Sequence, residues 1–430
     1  EFDDSTVAKI LELVENASSK KAKVENFITK FAKYYTPVVT IGAVVLALLP
    51  PLVLGGGFAE WIQRACIFLV ISCPCALVIS VPMGFFGGIG AASKVGVLVK
   101  GSNYLEAVAE MTTIVFDKTG TLTKAKPTVV DVVPFDNNDP EEMLRIAACM
   151  EEHFPHSMAK AVVSAARKKH LAHEEMHSRV EYVVAHGIST TIEDHKAVIG
   201  SYHFVFEDEK CTVDPSEEDR MNALPPQYSH LYLAIEKQLV AVICIEDPLR
   251  EEAAEMVRDL KKAGIRKVVM MTGDSERTAA AIAKRVGVDE YYAEVLPEDK
   301  ANFVEKEKAE GRKVIMIGDG INDSPALSAA DAGIAISDGA EIAREIADIT
   351  IAADDLREVV TLKLLANAMM KRIHKNYRNI VGINSGLILL GVTGIVQPTV
   401  SALLHNASTL MISLGSMKNL LDENKRTELE

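Results

Sequence analysis

Cysteine and tryptophan are scarce in this chain: six cysteines and one tryptophan are spread over 430 residues. So thin a set excludes a disulfide-stapled secreted scaffold, in which cysteines are dense because the core is too small to hold alone. Basic charge is also short, with 46 lysines and arginines against 60 aspartates and glutamates and a net charge of -14. That balance argues against nucleic acid as a partner held by bulk attraction to phosphate. No internal repeat and no low-complexity tract occurs, which sets aside solenoid and disordered architectures. The first residue is Glu1 and no signal peptide precedes the first apolar stretch, so the chain is expected to begin inside a longer protein.

The most informative absence is local. No charged residue occurs in Thr36–Ala59, in Ala65–Ser93, or in Asn379–Leu404, a run that resumes past His405 to Met417. Uncharged runs longer than about 18 residues read as helices crossing the hydrocarbon of a bilayer. A turn at Gln397-Pro398 divides the last run, so four spans in two hairpins are predicted. Lys20, Lys21, Lys23, Lys30 and Lys33 precede the first hairpin, and Lys94 and Lys100 follow it. Lys371, Arg372, Lys375 and Arg378 precede the second, with Lys418 and Arg426 after it. The positive-inside rule places all of these in the cytoplasm, with one large cytosolic insertion between the hairpins.

The second span reads VISCPCALVIS at residues 70–80. Pro74 removes an amide donor and clashes one turn back. Broken backbone at membrane depth survives only where it is buried in protein or lines a polar cavity. A disulfide between residues two apart would be strained. Cys73 and Cys75 are then either small buried hydrophobes or metal ligands.

Within the insertion, TTIVFDKTGTLT is the most specific stretch. The β-branched run Thr112–Phe116 reads as a buried parallel strand that delivers Asp117 to the turn Lys118-Thr119-Gly120. Open α/β sheets place their chemistry at such strand ends. Arg266–Met271 ends in Thr272-Gly273-Asp274, and Lys313–Ile317 ends in GDGINDSPAL; PEDK puts Lys300 near the head of a helix between them. Three strands thus bring Asp117, Asp274, Asp319 and Asp323 together, with Thr119 and Lys300 alongside. Crowded carboxylates repel unless a cation organises them, so Asp117, Thr119, Asp319 and Asp323 suit a Mg²⁺ site of hard oxygens. Asp117 is then placed to attack the γ-phosphate of ATP and form an aspartyl-phosphate.

DKTGT, TGD and GDGIND in this order resemble the phosphorylation domain of a P-type ATPase, built on a haloacid-dehalogenase-like (Rossmannoid) α/β sheet. With CPC in the preceding span, residues 1 to about 420 resemble the heavy-metal-transporting (type IB) branch. The resemblance implies a multidomain membrane protein with transmembrane α-helices and an α+β nucleotide-binding domain inserted in the phosphorylation domain. It implies Asp117, Lys118, Thr119, Thr272, Gly273, Asp274 and Lys300 as catalytic residues, and Asp319 and Asp323 as the magnesium loop. The expected division is a linker helix (1–35), a transmembrane hairpin (36–97), the phosphorylation domain (98–126 and 240–375), the nucleotide-binding domain (127–239), a second hairpin (376–420) and a tail (421–430). Branch members usually carry His-Pro in the nucleotide domain, whereas EEHFPHSMAKAV has His156 followed by Ser157; Glu151, His156, Gly187 and Gly200 are the expected adenine pocket, with His153 a competitor for His156. No Thr-Gly-Glu serves an actuator domain, and the family's first membrane helices are not represented, so this chain alone is expected to be phosphorylated without completing a pumping cycle.

In a pump of this type the CPC helix forms the ion site, with Cys73 and Cys75 as thiolates towards one cavity. Copper members resemble Tyr-Asn and Met with paired serines in the last two spans, and zinc members a lysine and Asp-x-Gly; this chain has Asn384-Ser385 and HNAST instead. His405 is the ionisable candidate there, against the alternative of a helix-end histidine bonded to Asn406 or a carbonyl. Two thiolates and an imidazole put Zn²⁺ or Cd²⁺ first, Mn²⁺ or Co²⁺ second and Cu⁺ third. ATP-driven export across the plasma or inner membrane, with a cytosolic metal donor as a further partner, is the expected function. A membrane-anchored phosphatase of the dehalogenase type would need an aspartate two residues after Asp117, where Thr119 stands; a sensor with a dead core would have lost Asp117 or GDGIND.

Overall fold

The computed structural model describes residues 27–54, 57–73, 75–152, 157–171, 177–183, 187–192, 194–318, 321–336, 341–352, 355–418 and 420. Pro74, His153, His156 and Asp319 lie outside them. The described residues form two compact units, one of residues 111–360 and one built from 27–110 with 361–420.

The helical unit starts with Phe27–Leu54, which runs through the boundary expected at residue 35. Phe58–Ile71 and Cys75–Lys94 follow, separated where Pro74 was expected to break the span. Strand β1 (Val97–Val99) and the helix Ser102–Glu110 come next. The C-terminal helices are Arg357–Val392 and Pro398–Ser416. Among the described residues, two segments are long and apolar enough to cross a membrane: Lys33–Val53 and Phe58–Lys94, with mean hydropathies of 2.1 and 2.4. The C-terminal pair, expected as two further spans, falls below that measure: the apolar end of Arg357–Val392 is short and follows Lys375 and Arg378, and Pro398–Ser416 contains His405 and Asn406. Residues 98–110 and 361–375 were expected in the phosphorylation domain but belong to the helical unit. The reason is a buried cap: Lys363 donates to the carbonyls of Val108 (3.0 Å) and Ala109 (2.7 Å), closing the end of the Ser102–Glu110 helix.

The second unit holds two sheets. The first comprises β2 (Thr113–Asp117), β9 (Lys267–Met271), β10 (Glu290–Tyr292), β11 (Val314–Gly318), β12 (Ala332–Ile336) and β13 (Ile349–Ile351), in the order β13-β12-β11-β2-β9-β10. Every one of these neighbours pairs in parallel, as strands joined by helical crossovers do. β2 and β11 are buried at every position, which their unbroken apolar runs require. The chain leaves β2 first to one side and later to the other, so the ends of β2, β9 and β11 lie at a switch of strand order.

The second sheet is antiparallel: β3 (Thr128–Pro134), β4 (His177–Val183), β5 (Gly187–Ile192), β6 (His195–Gly200), β7 (Ser229–Ile235) and β8 (Gln238–Glu246), ordered β3-β8-β7-β6-β5-β4. Helices Pro140–Glu151 and Ser157–Lys168 cover one face, joining Ile146, Val162, Ile199, Leu233 and Ile243 in one core. The expected boundary at residue 239 is corrected: β8 pairs with both β3 and β7, so the inserted domain runs to Glu246.

Candidate functional site

β2 ends on Asp117, whose backbone is extended before the tight turn Lys118–Leu122. Gly120 sits there at φ 75°, a left-handed conformation that glycine adopts without strain. Its amide donates to Thr123 Oγ1 (3.0 Å), and Thr123 Oγ1 donates to Asp247 Oδ2 (2.5 Å), so the turn is tied to the segment leaving β8. β11 pairs with β2 on one side, Ile317 opposite Phe116, and β9 on the other, Met271 opposite Asp117. The register sets three strand ends side by side.

Lys300 bridges this cluster. It lies in the first turn of Pro297–Ala309, a helix whose start is held by Asp299 accepting the amide of Leu296 (3.1 Å). Its ammonium reaches Asp117 Oδ1 at 2.5 Å and Asp323 Oδ1 at 2.7 Å, all three groups being buried. Gly318 makes room for this: a Cβ there would stand 2.6 Å from Asp323 Oδ2. Lys118 pairs with Asp274, which also accepts Thr272 Oγ1 (3.0 Å) and Ser229 Oγ (3.0 Å). Thr119 is half-buried in the turn and Gly273 is exposed.

Electrostatics separates the carboxylates. Burial, then the proximity of Asp323, pushes Asp117 up to about 6 against the pull of Lys300 and Lys118. Asp274 is held below the ordinary carboxylate range: burial acts to raise it, but Lys118 and the hydroxyls of Thr272 and Ser229 outweigh that. Burial works against the charge on Lys118 and on Lys300, yet their carboxylate partners raise both. The donors around Asp117 and Asp323 are all hard oxygens, and the Lys300 ammonium balances them in this state. That set fits a small hard cation such as Mg²⁺.

Sequence reasoning therefore placed Asp117, Lys118, Thr272, Asp274, Lys300 and Asp323 where the structure gathers them. It missed Thr123, Asp247 and Ser229. The TLT after the glycine and the Asp-Pro after β8 were visible signals for the first two; Ser229 had none, since only the packing of the two sheets brings it to Asp274.

Of the four residues expected to face the nucleotide, three lie among the described residues. Gly187 and Gly200 pair directly across β5 and β6, and Glu151 is buried at the end of its helix. A Cβ on Gly187 would lie 2.3 Å from Phe204 and 2.5 Å from the carbonyl oxygen of Ile199, so close packing alone requires glycine there.

In the helical unit, Cys73 and Cys75 are joined as a disulfide, although free sulfurs were expected. The helix stops at Ile71 and restarts at Cys75, which turns both side chains to one side with their Cα atoms 5.3 Å apart, inside the disulfide range. His405 is buried within Pro398–Ser416, and its partner is the Asn384 amide oxygen (Nδ1 at 3.2 Å), not the Asn406 or carbonyl of the alternative reading. Among the described residues no group of three or more His, Cys, Asp or Glu is gathered as a metal site. Packing nevertheless sets these residues at one depth. Ile380 packs with Ala76 and Leu77, and Leu387 with Ile67 and Ile71, so Asn384 falls level with the break at Ser72–Cys75.

The haloacid dehalogenase-like hydrolase family matches residues 111–331. A cadmium, zinc and cobalt-transporting ATPase of Bacillus subtilis (strain 168) is 41% identical over 99% of this chain and 60% of its own length. A zinc-transporting ATPase of Synechocystis is 39% identical over 92% of this chain and 54% of its own. The crystal structure of a zinc-transporting PIB-type ATPase in the E2.Pi state superposes with a TM-score of 0.74 at 32% identity, over 97% of this chain and 68% of that one. The chain belongs to the heavy-metal-transporting (PIB) P-type ATPases. As a PIB ATPase it is a multidomain integral membrane protein with a dehalogenase-like phosphorylation domain and an inserted nucleotide-binding domain. It spans about 60% of the length of the Bacillus subtilis relative.

Proposed function

We propose that the protein containing this chain hydrolyses ATP through a phosphorylated Asp117 and uses the cycle to export a divalent metal, Zn²⁺ or Cd²⁺, across the plasma or inner membrane. The observation that carries this is the Asp117 carboxylate, buried at the end of β2 and held 2.5 Å from Lys300, which also binds Asp323. Lys300 and Lys118 place positive charge where a γ-phosphoryl group would arrive, and such preorganised charge is the main catalytic device in phosphoryl transfer. Asp117 attacks phosphorus, its carboxylate oxygen forming the new P–O bond as the bond to ADP breaks. Asp323, Asp117 and Thr119, with Asp319, would hold Mg²⁺, which neutralises phosphate charge when bound. Glu151, His156, Gly187 and Gly200 are the nucleotide-facing set.

For the cargo, the reduced Cys73 and Cys75 supply two soft thiolates. His405 adds a nitrogen: the Asn384 amide oxygen accepts from Nδ1, which leaves the lone pair on Nε2. Two sulfurs and an imidazole suit Zn²⁺ and Cd²⁺, in keeping with the substrates named for the relatives. A cytosolic donor that hands over the metal completes the proposed partners.

The test uses full-length protein with labelled ATP and Mg²⁺. An acid-stable, hydroxylamine-sensitive phosphoprotein is expected, lost in Asp117→Asn; unchanged labelling in that variant would sink the assignment. Cys73→Ser or Cys75→Ser should remove the metal dependence of labelling while ATP still binds. His405→Ala should alter the ranking among Zn²⁺, Cd²⁺, Mn²⁺ and Co²⁺, and an identical ranking would return that residue to a packing role.

A further inference from the structure

The Pro398–Ser416 helix is apolar outside and polar inside. Its buried positions are Ser401, His405, Ser413 and Ser416, while Leu403, Leu404, Leu410, Met411 and Leu414 are exposed. Ser401 lies four residues before His405 and Ser413 eight residues after it, about 40° and 80° round a helix with 3.6 residues per turn, so the three share one broad face. Hydroxyls in such a helix are ordinarily silenced by bonding back to its own carbonyls. Ser408 and Thr409 do this with His405 O (2.8 and 3.0 Å), and Ser416 with Ile412 O (3.0 Å). Ser401 and Ser413 do not. Both Oγ atoms are buried with no hydrogen-bond partner, and so is the Oγ of Ser80 on Cys75–Lys94, a helix against which Pro398–Ser416 packs. A partnerless buried hydroxyl is costly, and in a membrane no bulk water relieves it. Two of them lie before and after His405 on its own helix, and the third is on the helix packed against it.

We propose that this face binds a file of ordered water molecules, with the hydroxyls of Ser401, Ser413 and Ser80 as its fixed partners and His405 in its middle. A buried water needs two to four polar partners, and the two packed helices supply hydroxyls and an imidazole along one buried face. Ser416 closes the end of that face, accepting from Asn376 Nδ2 at 2.8 Å. The file gives a divalent cation water ligands to exchange as it meets and leaves the thiolates, so dehydration proceeds in steps. This role rests on the cargo reading above, whereas the presence of the waters does not.

Pulsed radiolytic hydroxyl labelling of the full-length protein in lipid tests it, because buried side chains are oxidised there only beside an ordered water. His405 is expected to be oxidised despite its burial, and at least about fivefold more slowly in the Ser401→Ala/Ser413→Ala double variant, which removes two of the water's partners and leaves the packing volume nearly unchanged. The same variant should slow metal-stimulated phosphorylation by ATP several-fold while phosphorylation of Asp117 by inorganic phosphate stays as it was. A His405 that resists oxidation in the unmutated protein overturns the proposal, whatever the variant does. Equal oxidation in both proteins, or an unchanged metal-stimulated rate, overturns it as well. If the labelling behaves as expected but His405→Ala and the cysteine variants leave metal dependence intact, the cargo reading fails and the water file stands.

Discussion

At the scale of single residues, two opposing influences set the charge of Asp117. Burial and Asp323 push its carboxyl up to about 6, and Lys300 and Lys118 hold it from going further. Only the carboxylate is a nucleophile, so the rate of phosphorylation is expected to rise as pH passes through about 6 and then level off. Lys300→Ala removes the strongest of the lowering influences, so that limb should move to higher pH; a limb that moves down, measured by rapid-quench labelling across about pH 5 to 8, would contradict the electrostatic account. Stability follows with a definite sign. The folded pKa lies above the ordinary 3.8, so the stabilising contribution of the protonated form is complete below about 4 and disappears as pH rises through about 6. Mg²⁺ should therefore raise the melting temperature more at pH 7.5 than at pH 5, where protons compete for the same oxygens. A larger shift at pH 5 would speak against the oxygen site.

Among the elements, two glycines carry consequences that composition alone does not disclose. Gly318 ends β11 beneath Asp323, and an alanine there would stand 2.6 Å from that carboxylate. Gly318→Ala should displace Asp323 from Lys300 and reduce phosphorylation about tenfold or more, since a misplacement of about 1 Å in such a site is worth that much. Gly187→Ala meets the Phe204 ring at 2.3 Å and the Ile199 carbonyl at 2.5 Å, the second of which belongs to backbone and does not yield. It should destabilise the antiparallel sheet by about 1–3 kcal/mol and lower ATP affinity, leaving phosphorylation by inorganic phosphate unaffected. Thermal denaturation and equilibrium nucleotide binding separate the two outcomes. At this scale the sequence was legible for parallel strands and poorly so for antiparallel ones. β2, β9 and β11 are apolar on both faces and end in recognisable turns, whereas β5 alternates with less buried polar residues and β6 opens with two exposed ones.

For the molecule as a whole, the corrected boundary gives a direct comparison. A fragment of residues 127–247 contains all strands of the antiparallel sheet, while 127–239 lacks nearly all of β8, which lies between β3 and β7. The longer fragment should unfold cooperatively and bind ATP weakly; the shorter should not fold, because β3 loses its only neighbour in that sheet. Cooperative unfolding of the shorter fragment, followed by circular dichroism, would show the sheet assignment to be wrong.

The division between sequence and tertiary structure follows the range of the forces involved. Local order was decided by the chain itself: an apolar run, a terminal aspartate and a Lys-Thr-Gly turn specify a strand and the tight loop after it within twelve residues, and uncharged stretches specify membrane helices. What needed the folded molecule was every relation across long separations. Lys300 meets Asp117 from 183 residues away and Asn384 meets His405 from 21, through helices whose relative rotation no local pattern encodes. The same holds for the unpaired hydroxyls of Ser80, Ser401 and Ser413. In the sequence they are ordinary small residues of membrane helices, and only the packing of one helix on another buries them without a partner.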